Sequence, residues 1–341
     1  MKIKKSWAIY GVIALIVFSL WQRRNTQQPH KYQAFSRFGG MDVLCLPPSI
    51  STKEATGLWQ DIQTLLASYE AEFSYRREDS PLAQFNRRQA HEVQEISSRF
   101  YALLQESATA YQASEGYFDP SIYPLLALWG FAKDTAVQQT PDEEMITQVK
   151  SLVGFHKIHY YEKDNHYYIE KTVPGFVLAG KHYEMGLDFG AILKGKICDE
   201  VKELFMKHHI AEGIFQCGIS STFVAGTQSL SLQDPQRKEP LGILHVKDGF
   251  VSASGDSYRY REYMEKRYSH LLDPHTGKPV ENGIHSAVVQ ANKGSISDAF
   301  ATYAAVSGKL LSQSLFVREN SVQVKGLDFE LLTTDYRREG E

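Results

Sequence analysis

Residues 183–205 read YEMGLDFGAILKGKICDEVKELF, and the kind of turn that opens this run decides the fold class. From Gly190 onward, a glycine-containing turn feeds a helix whose apolar face carries Ile197, Val201, Leu204 and Phe205. The turn places Asp188 between Gly186 and Gly190, with Lys194 and Gly195 where the helix begins. Glycines let backbone approach a ligand closely, N–H groups at a helix start favour phosphate, and a lysine adds a point charge. The spacing is neither G-x-G-x-x-G nor G-x-x-x-x-G-K-[ST], which excludes a Rossmann fingerprint and a P-loop. A plain strand-to-helix turn with a solvated lysine explains the same residues, so the stretch alone leaves its chemistry open.

The flanking sequence predicts an irregular mixture of helices and strands. In 51–73, Trp59, Ile62, Leu66 and Tyr69 recur at helical spacing. A second helix runs through 97–116, from cap-like serines to Gly116. In TPDEEMITQVKSLVG (140–154), Thr140 is the expected N-cap, Pro141 the first helical residue, Glu143 the capping-box acid and Gly154 the terminator. HKIHYYEKDNHYYIEK (156–171) reads as two short strands around a Lys-Asp-Asn turn. Strands follow in 213–226, 242–255 and 286–291, then a helix over SISDAFATYAAVSG (295–308). This order predicts an α+β fold of mixed sheets and packed helices, in one catalytic domain over 31–341.

Composition narrows the function. The chain has 341 residues, 43% hydrophobic and 23% charged, with a net charge of -3. It carries no basic footprint, so nucleic acid is excluded as a partner. The three cysteines, Cys45, Cys198 and Cys217, have no metal-ligand spacing and read as buried apolar thiols rather than a disulfide framework. Residues 1–30 are different in kind: a basic MKIKK, the apolar run 7–21, then a polar, basic stretch. The run is shorter than the roughly 20 residues of a membrane helix, but no small-x-small cleavage site follows it. The expectation is one amino-terminal membrane segment holding the rest outside the inner membrane, on the periplasmic side, with a cleaved signal as the alternative.

Three further stretches carry chemistry. Asp298 and Thr302 stand at i and i+4 on one face of the predicted 295–308 helix. A carboxylate and a hydroxyl one turn apart are hard oxygen ligands suited to Mg²⁺, which takes few protein ligands and completes its shell with phosphate and water. Helix capping by Asp298, with Ser295 or Ser297, accounts for the same residues. His270, in YSHLLDPHTGKPV (268–280), starts a short apolar strand and has a side chain able to act as general base. ASEGYFDPSIYPLLALWGF (113–131) offers aromatic surface for a planar ring, or an ordinary core loop.

Taken in order, REDSPLAQFN (77–86), EGYFDPSIYPLLALWGF (115–131), LDFGAILKG (187–195), SASGDSYRY (252–260), YSHLLDPHTGKP (268–279) and SDAFATYAAVSG (297–308) resemble the FAD:protein FMN transferase, ApbE-like, family across 35–310. The resemblance implies a Mg²⁺-dependent enzyme that splits the pyrophosphate of FAD. It would transfer FMN to a Thr or Ser hydroxyl of another exported or membrane-bound protein and release AMP. It implies Asp298, Thr302 and the backbone carbonyl of Ala191 as metal ligands, and His270 as base, with Asp188 also in the catalytic set. Asp188, Lys194 and Leu272 match flavin-contacting positions. Phe38, Gly39 and Gly40, in RFGGMDV (37–43), and Tyr75, Tyr117, Phe118 and Asp119 are further cofactor contacts on the same ground. No Asp-Gly-x-Ser/Thr-x-Ala-Thr segment occurs, so the acceptor is another chain.

The chain also departs from the family pattern. Phe38 stands for the usual Met, Gly40 for Thr, and Ala253 for Thr. LDFGAILKG has one glycine where two are usual, and Ala301 sits where some members have a second acid. QCGISS (216–221) replaces an Asn-x-Gly-Gly-Asp turn, with Ile219 at the second glycine and Ser220 at the acid. Ile219 is expected to matter most, because a β-branched residue cannot replace a glycine that needs positive φ or close backbone contact. Two other readings stay open: an FAD pyrophosphatase that uses water, and a tethered protein that holds FAD uncleaved.

Overall fold

The computed structural model describes residues 28–132 and 140–339. The apolar run at 7–21 lies outside them. Among the described residues no helix is long and apolar enough to cross a membrane.

The chain opens with a hairpin of β1 (His30–Phe35) and β2 (Met41–Leu46), then α1 (Thr52–Phe73) and α2 (Pro81–Arg87). Next come β3 (Gln94–Ile96), α3 (Ser98–Ala113), a 3₁₀ turn (Pro120–Ile122), α4 (Tyr123–Leu128) and α5 (Glu143–Lys150). Two small hairpins, β4 (Ile158–Lys163) with β5 (His166–Lys171) and β6 (Phe176–Leu178) with β7 (Lys181–Tyr183), lead to α6 (Leu193–Lys207). The long strands are β8 (Gly213–Cys217), β9 (Ser221–Gln233) and β10 (Pro240–Gly255). Two short hairpins follow, β11 (Tyr260–Tyr263) with β12 (Lys266–Ser269) and β13 (Leu272–Asp273) with β14 (Lys278–Pro279). β15 (Ile284–Ala291), α7 (Gly294–Ser307), β16 (Ser314–Arg318), β17 (Ser321–Lys325), β18 (Asp328–Leu331) and β19 (Arg337–Glu339) complete an α+β fold.

Ten strands form the main sheet, ordered β1-β2-β8-β9-β10-β15-β16-β17-β19, with β18 on β10. Strand alternation gives the sheet two apolar faces. Phe215, Phe223 and Phe250 pack in the core that also holds Leu58, Ile62 and Leu66 of α1 and Ile197, Val201 and Phe205 of α6. Fully burying a side chain such as Leu58 or Ile62 contributes about 1.5–3 kcal/mol. Val224, Leu244, Val251, Ala253, Val288 and Val317 form a separate core on the other face.

α6 and α7 cross at their starts, which brings two distant sequence stretches into one corner. A Cβ on Gly195 would lie 2.0 Å from the Gly294 carbonyl oxygen, and one on Gly294 would lie 2.2 Å from the Gly195 carbonyl oxygen. Backbone meets backbone here, and only glycine fits at both positions.

Two expectations about local structure change. α5 begins at Glu143, and Asp142 is its N-cap, accepting from the Met145 N–H at 2.8 Å. Thr140 and Pro141 lie before the helix, since the Asp142 carboxylate satisfies the free N–H groups one turn later. Gly154 (φ +134) lies beyond the helix end, ahead of a 3₁₀ turn. Cys198 and Cys217 are buried free thiols as expected, but Cys45 is only half-buried.

Candidate active site

The start of α7 is capped from outside, and this frees Asp298. Asp199, on α6, accepts from the Gly294 N–H at 2.6 Å and the Ser295 N–H at 3.0 Å. No side chain of α7 caps its own helix. Capping therefore does not account for Asp298. It is 3% exposed, and its Oδ2 accepts from the Gly195 N–H at 3.1 Å, across the helix crossing. Thr302 follows one turn later, its hydroxyl 3.4 Å from that of Ser254 on β10. Ala191 sits half-buried in the turn just before α6.

Ser252 lies on the same side of β10 as Ser254, and its cross-strand partner is Ser221. Both are 1% exposed, and neither hydroxyl has a hydrogen-bond partner among the described residues. Among those residues no group of three or more His, Cys, Asp or Glu side chains is arranged to hold a metal. Asp298 and Thr302 offer one carboxylate and one hydroxyl a turn apart, a sparse oxygen pair that would suit only an ion completing its shell with phosphate and water.

Lys194 and His270 lie near this corner. Lys194 Nζ donates to the Gly190 carbonyl at 2.8 Å, and the Asp188 Oδ1 accepts from the Gly190 N–H at 2.6 Å. The Asp188 N–H donates to the Pro120 carbonyl at 2.8 Å, tying this turn to the aromatic stretch. His270 Nδ1 lies 2.9 Å from the Arg259 carbonyl, which only accepts, so Nδ1 carries the proton and Nε2 keeps its lone pair. Burial, then the positive charges of Arg259 and Lys194, push the ring down to about 3. The Arg259 guanidinium also reaches the Phe131 carbonyl and, at 3.4 Å, the Tyr75 hydroxyl. Tyr75 meets Tyr123 edge-on, with ring centroids 5.7 Å apart.

Residues 44–324 match the ApbE family. The chain belongs to the ApbE family. An FAD:protein FMN transferase from Escherichia coli K12 is 25% identical over 279 residues, covering 80% of this chain and 77% of its own. A protein of the same name from Treponema pallidum is 26% identical over 265 residues, covering 73% and 71%. The crystal structure of an ApbE protein from Thermotoga maritima superposes with a TM-score of 0.75 at 23% identity, covering 90% of this chain and 98% of that one. Flavin transferase ApbE from Vibrio cholerae gives 0.69 at 21% identity, covering 90% and 98%.

Set against the ApbE pattern, the departures prove local. Ile219 is not in the left-handed region; the left-handed residue of its turn is Gly218, φ +61. The expected backbone conflict at Ile219 therefore does not arise. Instead, a Cβ on Gly40 (φ +80) would lie 2.2 Å from Ile219 Cγ2, so the isoleucine fills the space above a bare backbone. The two substitutions interlock. Gly40→Ala is expected to destabilise the protein by about 2–5 kcal/mol in urea titrations, about 1–3 from the clash and about 1–2 from left-handed strain. In an Ile219→Ala background it should cost only the left-handed strain of about 1–2 kcal/mol. Equal costs in both backgrounds would show that the contact is not the reason.

Other departures turn away from this corner. Ala253 faces the second core, on the opposite side of the sheet from Ser252. Ala301 is fully buried in a third apolar cluster with Leu271, Ala287 and Phe316. Among the expected contacts, Leu272 is 5% exposed in the main core, and Phe38, Gly39 and Gly40 form the β1–β2 turn, where Gly218 packs against the Gly39 carbonyl and Lys194. Phe118 is buried, and the Asp119 carboxylate takes the N–H and hydroxyl of Ser121, its pKa raised by burial. Neither side chain is free to meet a ligand. Tyr117 packs on His275, ring centroids 4.4 Å apart, and on Tyr303.

Sequence reasoning missed Asn86, Asp199, Arg259 and the Ser221–Ser252 pair. Asn86, 6% exposed, holds the residue before Asp188 on both sides, donating to the Leu187 carbonyl at 2.8 Å and accepting from its N–H at 2.7 Å. The Lys171 ammonium, fully buried and pushed down to about 8 by burial, caps the Asn86 and Arg88 carbonyls. Only the position of Asn86 at the end of REDSPLAQFN hinted at this.

Proposed function

We propose that this chain is a Mg²⁺-dependent FAD:protein FMN transferase. The observation that carries the reading is the corner where α6 and α7 cross. There Asp298 is released from capping by Asp199 and accepts from the Gly195 N–H, one residue after Lys194, whose charge reaches His270. The dinucleotide's pyrophosphate would lie against Lys194, with the flavin toward Tyr75, Asp188 and Leu272. Asp298, Thr302 and the Ala191 carbonyl would hold the cation, which when bound neutralises charge on the phosphates as the bridging bond weakens.

His270 supplies the proton chemistry. Its Nε2 lone pair accepts the proton of a Thr or Ser hydroxyl on the acceptor protein. The hydroxyl oxygen bonds to the flavin-side phosphorus, the bond from that phosphorus to the bridging oxygen breaks, and AMP leaves with that oxygen. The Arg259 and Lys194 charges that depress His270 are offset once two phosphate charges are bound, so its basicity rises when substrate arrives. The proposed setting, outside the inner membrane on the periplasmic side, rests on residues 1–30 alone.

The test is incubation of the full chain with FAD, Mg²⁺ and an acceptor domain carrying an Asp-Gly-x-Ser/Thr-x-Ala-Thr segment. Flavin fluorescence on the acceptor after denaturing electrophoresis, with one AMP released per label, is expected. FMN and AMP with an unlabelled acceptor would favour the pyrophosphatase, and intact bound FAD would favour a carrier.

A further inference from the structure

β11 and β12 pair only with each other and belong to no larger sheet. The base of this arm is tied down: the His270 N–H donates to the Arg259 carbonyl at 3.0 Å, and Arg261 donates to the Gly130 carbonyl at 2.8 Å. Its tip is built against local preference. Tyr263 pairs with Lys266, leaving Met264 (φ 47) and Glu265 (φ 62) as a two-residue turn with both positions left-handed. Asn-Gly fills such a turn at little cost, whereas Met and Glu carry a Cβ and no local compensation. The strained turn presents Met264 at 83% exposure. A lone exposed methionine is ordinary; one held at the tip of an arm rooted at the proposed base is not.

Four residues per strand put that tip roughly 13 Å from His270. A protein that presents a hydroxyl to Nε2 comes within reach of the arm. Along the β12 side runs a cleft of about 610 Å³, walled by Tyr268 and Trp129 and lined as well by the Lys266–Glu281 and Lys278–Glu143 ion pairs. It begins two residues from His270. We propose that the arm and this cleft are the docking surface for the acceptor protein. Met264 seats in an apolar depression of the acceptor, and the segment bearing the accepting hydroxyl lies extended in the cleft. This inference rests on the transferase reading.

The decisive variant is Met264→Asn with Glu265→Gly, which removes the anchor while giving the turn its preferred residues, so the arm should not unfold. With the Asp-Gly-x-Ser/Thr-x-Ala-Thr acceptor domain as probe, its KM should rise about tenfold or more, as for loss of an interface anchor. FAD affinity should be unchanged and Tm should not fall. An unchanged acceptor KM overturns the proposal. So does a parallel loss of FAD affinity, which would make the arm part of the nucleotide site. If the wild-type chain binds FAD but labels no acceptor, the transferase reading fails and the arm falls with it.

Discussion

Asp298→Ala is expected to lower FMN transfer by at least about a hundredfold while FAD binding largely persists. The carboxylate is held by one N–H, from Gly195, and has no capping duty because Asp199 serves the α7 terminus. Its loss therefore leaves the start of α7 intact, and the proposed apolar and lysine contacts to the dinucleotide would remain. What disappears is the charged oxygen that would hold the proposed cation. Activity at saturating FAD, beside FAD affinity from flavin fluorescence, separates these effects. A variant that turned over normally would remove Asp298 from the metal site.

The second large effect is expected at His270. His270→Ala should lower kcat by about 10²–10⁴, the usual contribution of a positioned general base, with FAD affinity retained. The pH profile supplies a sharper signature. In the free enzyme the ring is pushed down to about 3, so it stays neutral throughout the physiological range. The acid limb of kcat/KM, which reports the free enzyme, should therefore lie well below pH 6.5 and leave the profile flat from pH 6 to 8. The limb of kcat should lie at higher pH, because bound phosphates offset the Arg259 and Lys194 charges. The stability sign follows from the same shift. A neutral ring in the folded state contributes stability fully above the unfolded pKa near 6.5, lost as pH falls toward 3. A kcat/KM limb near 6.5 would show that His270 has ordinary surroundings.

The legible parts of this protein were those with short-range signatures. Asp298 and Thr302 share a face because four residues separate them, and the two-strand reading of 156–171 holds because Asp164 (φ 54) and Asn165 (φ 62) form its turn. What stayed hidden depends on distant partners. Asp199 is 95 residues from the N–H it caps, so sequence alone does not distinguish it from Asp298 as the cap of α7. Asn86 acts on Leu187, 101 residues away. Ile219 has no meaning by itself: its side chain faces the bare backbone of Gly40, 179 residues earlier in the chain. The α5 start moved because Asp142 was a better cap than Thr140.

In the proposed mechanism one divalent cation joins α6 and α7 to a dinucleotide's phosphates. Crystals grown with FAD and Mn²⁺ test it through the manganese anomalous signal. A single peak about 2.1 Å from oxygens of Asp298, Thr302 and Ala191, and touching the pyrophosphate, is the expected result. A peak elsewhere, or FAD bound away from Lys194, would contradict it.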